Sequence, residues 1–216
     1  MSFRVVCISR TLAAGGEDIG HAVAQRLGYR YVDEEIIFKA AQLAQVDPNL
    51  VAAAEHKQPL LQRLIDKLAA AQELVGPVTL ATGMPMEFIP VRSAPRADVD
   101  DLRILIRAAI HEVATAGSAV IVAHAASLAL ASRTDVLRVL VTASDNQRAQ
   151  RIAAAQHLTA KDAEAAIAKS DRERGAYFQQ FYKLKQELPT HYDLVLNTDV
   201  LTSDQAVTII VNAAQS

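Results

Sequence analysis

The spacing of hydrophobic residues near the start of the chain changes at a pair of glycines. Residues 3–9 (FRVVCIS) form a short apolar run rich in β-branched side chains, which predicts a buried strand. After Gly15 and Gly16, apolar residues recur every three or four positions from residue 18 to residue 27, and Gly28 ends the pattern. This spacing predicts a helix with a glycine C-cap. The chain therefore begins with a predicted strand, a glycine-containing loop and a helix.

Strands and helices alternate along the rest of the chain. A short extended segment is predicted at residues 29–32, and Asp33 is well placed to cap a helix over residues 34–45. The other predicted strands are residues 119–123, 136–142 and 193–197, and the other predicted helices are residues 98–115, 127–131, 145–157, 160 to about 188 and 203–214. This alternation predicts the α/β fold class, with a mainly parallel sheet covered by helices on both faces.

The middle of the chain differs from the two ends. Residues 47–74 carry apolar side chains on roughly one side of a predicted helical stretch. Residues 76–95 break this pattern and contain four prolines, so we predict a loop or the edge of a lid there.

Composition narrows the class of protein. The 216 residues carry 22 Lys and Arg against 24 Asp and Glu, so no overall charge favours nucleic acid or an anionic membrane. Tryptophan is absent and aromatic residues make up 5%, which argues against base-stacking surfaces. The single cysteine, Cys7, excludes an internal disulfide and suits a reducing compartment. With neither a signal-peptide pattern nor a long uncharged apolar run, a cytoplasmic protein without a membrane span is expected.

The turn after the first strand is the first candidate for chemistry, because phosphates bind there in parallel α/β sheets. A standard P-loop reads G-x-x-x-x-G-K-[ST]. With Gly15 on the second glycine, Arg10 falls on the first glycine, Gly16 on the lysine and Glu17 on the hydroxyl residue. Three of the four defining positions differ. The spacing alone leaves two interpretations open, a phosphate loop or two glycines that only shape a tight turn.

Three short motifs occur in order along the chain. Residues 8–19 read ISRTLAAGGEDI, residues 31–37 read YVDEEII and residues 192–198 read YDLVLNT. They resemble I-S-R-x-x-G-S-G-G-x-E-I, F-Y-D-x-E-I-I and Y-D-L-x-L-N-T of the bacterial cytidylate kinase-like family. The order of the strand at 136–142, the segment 145–151 and the helix around Arg174 is also similar. The resemblance spans nearly the whole chain.

The resemblance implies a P-loop nucleoside-monophosphate-kinase fold in one domain over residues 1–216. Its core would be residues 1–35, 100–157 and 189–216, its helical insert about 36–100 and its lid about 158–188. Such proteins transfer a phosphoryl group from ATP, with Mg²⁺, to a nucleoside monophosphate such as CMP. This implies a small-molecule nucleotide as the partner, and a homodimer is one possible assembly. The six histidines have no metal-ligand spacing, so no metal site built directly by a protein motif is predicted.

Candidate site residues follow from these motifs. The candidates for donor phosphate binding are Ser9, Arg10, Ala13, Ala14, Gly15, Gly16, Glu17 and Asp18. The catalytic candidates are two pairs at i,i+3 spacing, Arg148 with Arg151 and Asp171 with Arg174. Asp33 and His124 are expected to face the acceptor. Simpler interpretations stay open, namely ion pairs on solvated helix faces for the two pairs and a helix N-cap for Asp33.

Two departures from the family pattern favour a second interpretation. The family carries a G-R-G-A turn after the central strand, where this chain reads Ala123-His124-Ala125-Ala126. It also carries G-S where this chain reads Ala13-Ala14. If glycine is needed there for a positive φ, each alanine costs about 1 kcal/mol. The alternative function is therefore a catalytically silent relative that binds nucleotide or anion as a regulatory or interaction module.

Overall fold

A computed structural model describes residues 3–44, 99–123 and 125–216. The predictions for residues 47–74 and 76–95, and His124, lie outside the described residues. The strands are β1 (Val5–Arg10), β2 (Arg30–Val32), β3 (Ala119–Val122), β4 (Val136–Thr142) and β5 (Leu194–Asn197). The helices are α1 (Gly16–Leu27), α2 (Glu35–Ala44), α3 (Val99–Ala116), α4 (Ala126–Ala129), α5 (Asp145–Gln156), α6 (Ala160–Tyr182) and α7 (Ser203–Gln215).

The five strands form one parallel sheet in the order β2-β3-β1-β4-β5. The first strand lies at its centre, where Ile8 pairs with Val122 on one side and Val139 on the other. A parallel strand covered on both faces reads as a continuous apolar run, and Val5, Val6 and Cys7 are fully buried. The predicted α/β fold class is confirmed.

Helices cover both faces of this sheet. One face packs against α2, α3 and α4 through side chains such as Ile36, Ile110 and Ala126. The other face packs against α1 and α7 through side chains such as Ile19 and Ile210. A third, smaller cluster joins α5 to α6 and reaches the loop after β1. In the described part of the chain, no helix is long and apolar enough to cross a membrane.

Most predicted boundaries agree with the structure to within two residues, but the helix from residue 160 to about 188 was predicted too long. It ends at Tyr182 because Lys183 has a left-handed backbone (φ 57°) and its N–H caps the carbonyl of Phe178. At its other end the expected cap is present, since the Thr159 hydroxyl accepts from the N–H of Asp162. The early end of α6 lets the chain turn back and brings Glu187 to Arg174.

Candidate functional site

The loop between β1 and α1 leaves the start of α1 without a side-chain cap. Gly15 is the N-cap residue, has a left-handed backbone (φ 83°) and makes no side-chain cap hydrogen bond. By contrast, the hydroxyl groups of Ser144, Thr159 and Thr202 cap α5, α6 and α7. The first N–H groups of α1 have no partner inside the helix, and the helix dipole adds partial positive charge at this end. This arrangement suits an anion.

The two alanines of this loop differ in backbone conformation. Ala13 is left-handed (φ 61°), whereas Ala14 is not and its methyl group is buried. The N–H of Ala14 donates to the Thr11 carbonyl at 3.2 Å, and its carbonyl accepts from the Thr198 hydroxyl at 2.9 Å. The strain expected where alanine replaces glycine therefore applies to Ala13 and not to Ala14.

Replacing Ala13 with glycine should raise the free energy of unfolding by about 0.5–1 kcal/mol. A left-handed backbone costs an L-residue about 1–2 kcal/mol, and the greater freedom of glycine in the unfolded chain offsets part of the gain. Ala14→Gly is the matched control and should lower stability, because it removes a buried methyl without relieving strain. Urea unfolding of both variants measures the difference. A stability of A13G below that of the wild type would contradict the expectation.

The turn after β3 shows the same substitution twice. Ala123 (φ 68°) and Ala125 (φ 52°) are both left-handed, and both occupy positions where the related motif G-R-G-A has glycine. Two alanines of this turn therefore adopt a backbone conformation that glycine adopts without strain. His124, the residue between them, lies outside the described residues.

A cavity of about 530 Å³ opens where the phosphate loop, α1 and α5 meet. Residues 12–15 of the loop form one wall, and Glu17 and Asp18 come from the first turn of α1. The remaining lining residues are Arg151, Ile152, Ala155 and Gln156 of α5, with Thr198, Leu201, Thr202 and Ser203 after β5. The uncapped end of α1 and one arginine therefore face a common space.

Arg151 ties the loop to the residues after β5. Its guanidinium donates to the Ala13 carbonyl at 3.3 Å and to the Thr198 hydroxyl at 2.9 Å, and it also bonds the Thr198 carbonyl. The Thr198 hydroxyl in turn donates to the carbonyl of Ala14. Arg151 and Thr198 thus hold both alanines of the loop while lining the cavity.

Arg148 has a different environment from Arg151, although both lie on α5. Its side chain is 3% exposed and donates to Asp171 of α6 at 2.9 Å and to Asp145 at 2.7 Å. Hydrogen bonding to Asp171 raises the pKa of Arg148 above its ordinary value, against the effect of burial. The interpretation as a solvated surface ion pair is wrong for Arg148. This arginine joins α5 to α6 and does not line the cavity.

Arg174 joins α6 to the end of β1. Its guanidinium donates to the Ser9 hydroxyl at 2.9 Å and to the Arg10 carbonyl at 3.0 Å. It also pairs with Glu187 through two nitrogens, at 2.8 and 2.6 Å. The Tyr192 hydroxyl bonds Glu187 and lies 3.2 Å from the Ser9 hydroxyl. Burial, followed by the charge of Glu187, raises the pKa of Tyr192, so this hydroxyl stays protonated.

Tyr31 lies in β2 and contacts Asp33, which directly follows this strand. Its ring stacks on His21 with 3.5 Å between centroids, and burial raises its pKa to about 12. The neighbouring carboxylates of Asp33 and Glu17 contribute to the same shift, and Asp33 hydrogen-bonds the Tyr31 hydroxyl. The candidate acceptor residue therefore lies at the same edge of the sheet as the phosphate loop.

The structure brings together most of the residues predicted from the motifs. The loop residues from Ser9 to Asp18, Arg151 and Arg174 surround the end of β1 and the start of α1. Asp171 and Arg148 instead bond to one another between α5 and α6. The catalytic roles assigned to these residues stay predictions.

Sequence reasoning missed three residues of this network, namely Thr198, Glu187 and Tyr192. Tyr192 and Thr198 are the first and last residues of the motif YDLVLNT. This motif supported the resemblance to the family, but the resemblance assigned no role to either residue. Glu187 lies in the segment predicted as the end of a helix, so its return to Arg174 had no signal in the local pattern.

A parallel sheet in this strand order, with a glycine-containing loop leading from the central strand into α1, is the architecture of a P-loop kinase-like fold. The particular family is equally clear. The chain belongs to the cytidylate kinase-like family, whose model matches residues 5–200.

Solved structures agree on the fold. An uncharacterized protein from Eubacterium ventriosum ATCC 27560 is 16% identical with a TM-score of 0.62, and the match covers 97% of each chain. Shikimate kinase from Bacteroides thetaiotaomicron is 13% identical with a TM-score of 0.50, covering 98% of each chain. At these identities the likeness shows a shared fold. No curated protein matches the sequence of this chain.

Proposed function

We propose that this protein is a nucleotide-binding phosphotransferase that moves a phosphoryl group from ATP to a nucleoside monophosphate such as CMP. The observation that carries the proposal is the cavity of about 530 Å³ at the uncapped start of α1. Free N–H groups, a helix dipole and an arginine side chain meet at that one place. Polyphosphate is the ligand class that this combination favours.

A protein that catalyses phosphoryl transfer mainly positions the reactants and stabilises the charge on the transferred phosphoryl group. The loop N–H groups would hold the donor phosphates, while Arg151 fixes the loop between Ala13 and Thr198. The carboxylates of Glu17 and Asp18 line the same cavity and are the hard oxygen ligands that fit Mg²⁺. Mg²⁺ held by these carboxylates would supply positive charge beside the donor phosphates.

The acceptor would bind at the ends of β2 and β3, beside the donor site. Asp33 supports this assignment because its contact with Tyr31 keeps it near Glu17. His124 is proposed for the same side on the motif alone. The division into core, insert and lid, the cytoplasmic location and the possible homodimer are further proposals from the resemblance.

A catalytically silent relative is the second candidate. Arg151 and Arg174 are each bonded to groups of the protein itself, and Gly16 stands where a P-loop has lysine. Such a protein would bind nucleotide without turnover, and its bound state would serve regulation or interaction.

The deciding experiment incubates the purified protein with ATP, Mg²⁺ and a panel of nucleoside monophosphates and measures ADP. The kinase proposal expects ADP with at least one acceptor, above the level of Arg174→Ala. If every acceptor leaves ADP at that level, the kinase proposal is wrong. A thermal-shift screen with nucleotides then tests the binding proposal, which fails if no nucleotide or phosphate raises the melting temperature.

A further inference from the structure

Gly16 has a steric function that its backbone conformation does not explain. It is the first residue of α1 and stands at the position of the P-loop lysine. Unlike Gly15, it is not left-handed, so an L-residue could adopt its backbone. A Cβ added at Gly16 would nevertheless lie 2.6 Å from Cβ and 3.0 Å from Cδ of Arg10. The Arg10 side chain thus occupies the space into which a side chain at position 16 would project.

The guanidinium of Arg10 has an incomplete set of partners. One terminal nitrogen pairs with Glu17 at 2.6 Å. The Nε atom is buried and has no hydrogen-bond partner within the part of the chain that the structure describes. Buried donors are nearly always paired in native proteins, and the Arg10 side chain as a whole is 24% exposed, so this donor is available to an acceptor that a ligand brings.

Two other arginines at this loop are held more firmly. Arg174 pairs with Glu187, which is 19% exposed, and also bonds the chain at Ser9. Arg151 bonds the carbonyl and hydroxyl of Thr198. The Arg10 partner Glu17 is 49% exposed and lines the cavity. An exposed ion pair contributes little, so Arg10 can exchange this carboxylate for phosphate oxygens at small cost.

We propose that Arg10 is the phosphate-binding cation of this loop and replaces the lysine of a standard P-loop, with Glu17 holding its guanidinium until a polyphosphate binds. The proposal rests on the proposed function, because Glu17, the partner of Arg10, lines the proposed donor site. It also accounts for the missing lysine, because a side chain at position 16 would meet the Cβ, Cγ and Cδ atoms of Arg10. A guanidinium can bind two phosphate oxygens at once, which an ammonium group cannot do with the same fixed geometry.

A double-mutant cycle between positions 10 and 16 tests this proposal. The probes are tripolyphosphate in EDTA and ATP with Mg²⁺, and calorimetry measures the dissociation constants. Arg10→Ala should weaken tripolyphosphate binding about 10- to 100-fold, as expected for loss of a charged hydrogen bond. Gly16→Ala should weaken it to a similar degree by displacing Arg10. In an Arg10→Gly background, which removes the Cβ that a side chain at position 16 would meet, Gly16→Ala should change binding less than about twofold relative to Arg10→Gly alone.

A substitution at Glu17 should change the affinity for tripolyphosphate in the opposite direction. In EDTA, Glu17→Gln should tighten tripolyphosphate binding about two- to fivefold, because the competing carboxylate charge is gone. Arg26→Ala is the matched control, since Arg26 is paired with Asp204 at the far end of α1, and it should bind like the wild type. Circular dichroism checks folding. If Gly16→Ala does not fold, Arg10→Ala and Glu17→Gln still decide the outcome.

The outcomes separate this inference from the proposed function. If the wild type binds both probes and Arg10→Ala binds them equally well, the role of Arg10 is overturned and the donor site stands. If the wild type binds neither ATP nor tripolyphosphate, the proposed function is overturned together with the inference. Weaker binding by Gly16→Ala in the Arg10→Gly background would show that Gly16 acts independently of Arg10.

Discussion

Replacing Asp171 with alanine should lower the free energy of unfolding by about 2–3 kcal/mol. Arg148 is 3% exposed and depends on Asp171 for two of its hydrogen bonds. Removing one member of a buried pair leaves a charge without compensation, at a cost of about 3–5 kcal/mol when both members are buried. Asp171 is 37% exposed, so water can replace part of the lost interaction and reduce the cost. Urea unfolding monitored by circular dichroism measures the change.

Asp145 provides a matched control within the same cluster. It bonds the same guanidinium at 2.7 Å, but its side chain is 84% exposed. Asp145→Ala should therefore cost less than about 1 kcal/mol. If Asp171→Ala costs no more than Asp145→Ala, then Asp171 does not stabilise the contact between α5 and α6.

Replacing Arg174 with methionine should destabilise the protein by about 2–3 kcal/mol and release the end of α6 from the sheet. The variant leaves the Glu187 carboxylate with only the Tyr192 hydroxyl among its present side-chain partners. It also removes the hydrogen bonds that Arg174 donates to the Arg10 carbonyl and to the Ser9 hydroxyl, and Ser9 then keeps its contact with Tyr192. Hydrogen exchange should speed up in residues 175–182 before it does so in β1. If a nucleotide stabilises the wild type, the variant should lose part of that stabilisation.

Arg172 is the matched control for this prediction. It is exposed on the same helix two residues earlier, so its side chain points away from the one that reaches Ser9. Arg172→Met should change stability by no more than about 0.5 kcal/mol. Equal effects of the two substitutions would show that the bonds of Arg174 to β1 do not hold the end of α6 in place.

Local pattern predicted the described elements because the period of apolar residues is a local property. The run from Val5 to Ile8 indicated a buried strand, and the three- and four-residue spacing up to Leu27 indicated a helix. Both predictions are confirmed. The end of α6 was missed because helical spacing continues past Tyr182. The left-handed backbone at Lys183 ends the helix, and Glu187 after the turn pairs with Arg174, a contact that local spacing does not reveal.

The candidate site was predictable where its residues are adjacent in the chain. The phosphate loop from Ser9 to Asp18 is one such segment. Ala13 has a left-handed backbone, which fits the glycine that the related motif has at this position. The motif at residues 192–198 pointed to the right region but not to the hydroxyl of Thr198. The partner of Thr198, Ala14, is 184 residues away in sequence.

The sequence alone was enough to establish the α/β class, the loop after the first strand and the family to which they belong. Hydrophobic period and short motifs suffice for those conclusions. The tertiary structure determined which groups each arginine contacts. It buried Arg148 against Asp171, bonded Arg174 to Ser9 across 165 positions of sequence, and laid Arg10 over Gly16. These pairings join separate elements, and only the packing of those elements determines the distances between their side chains.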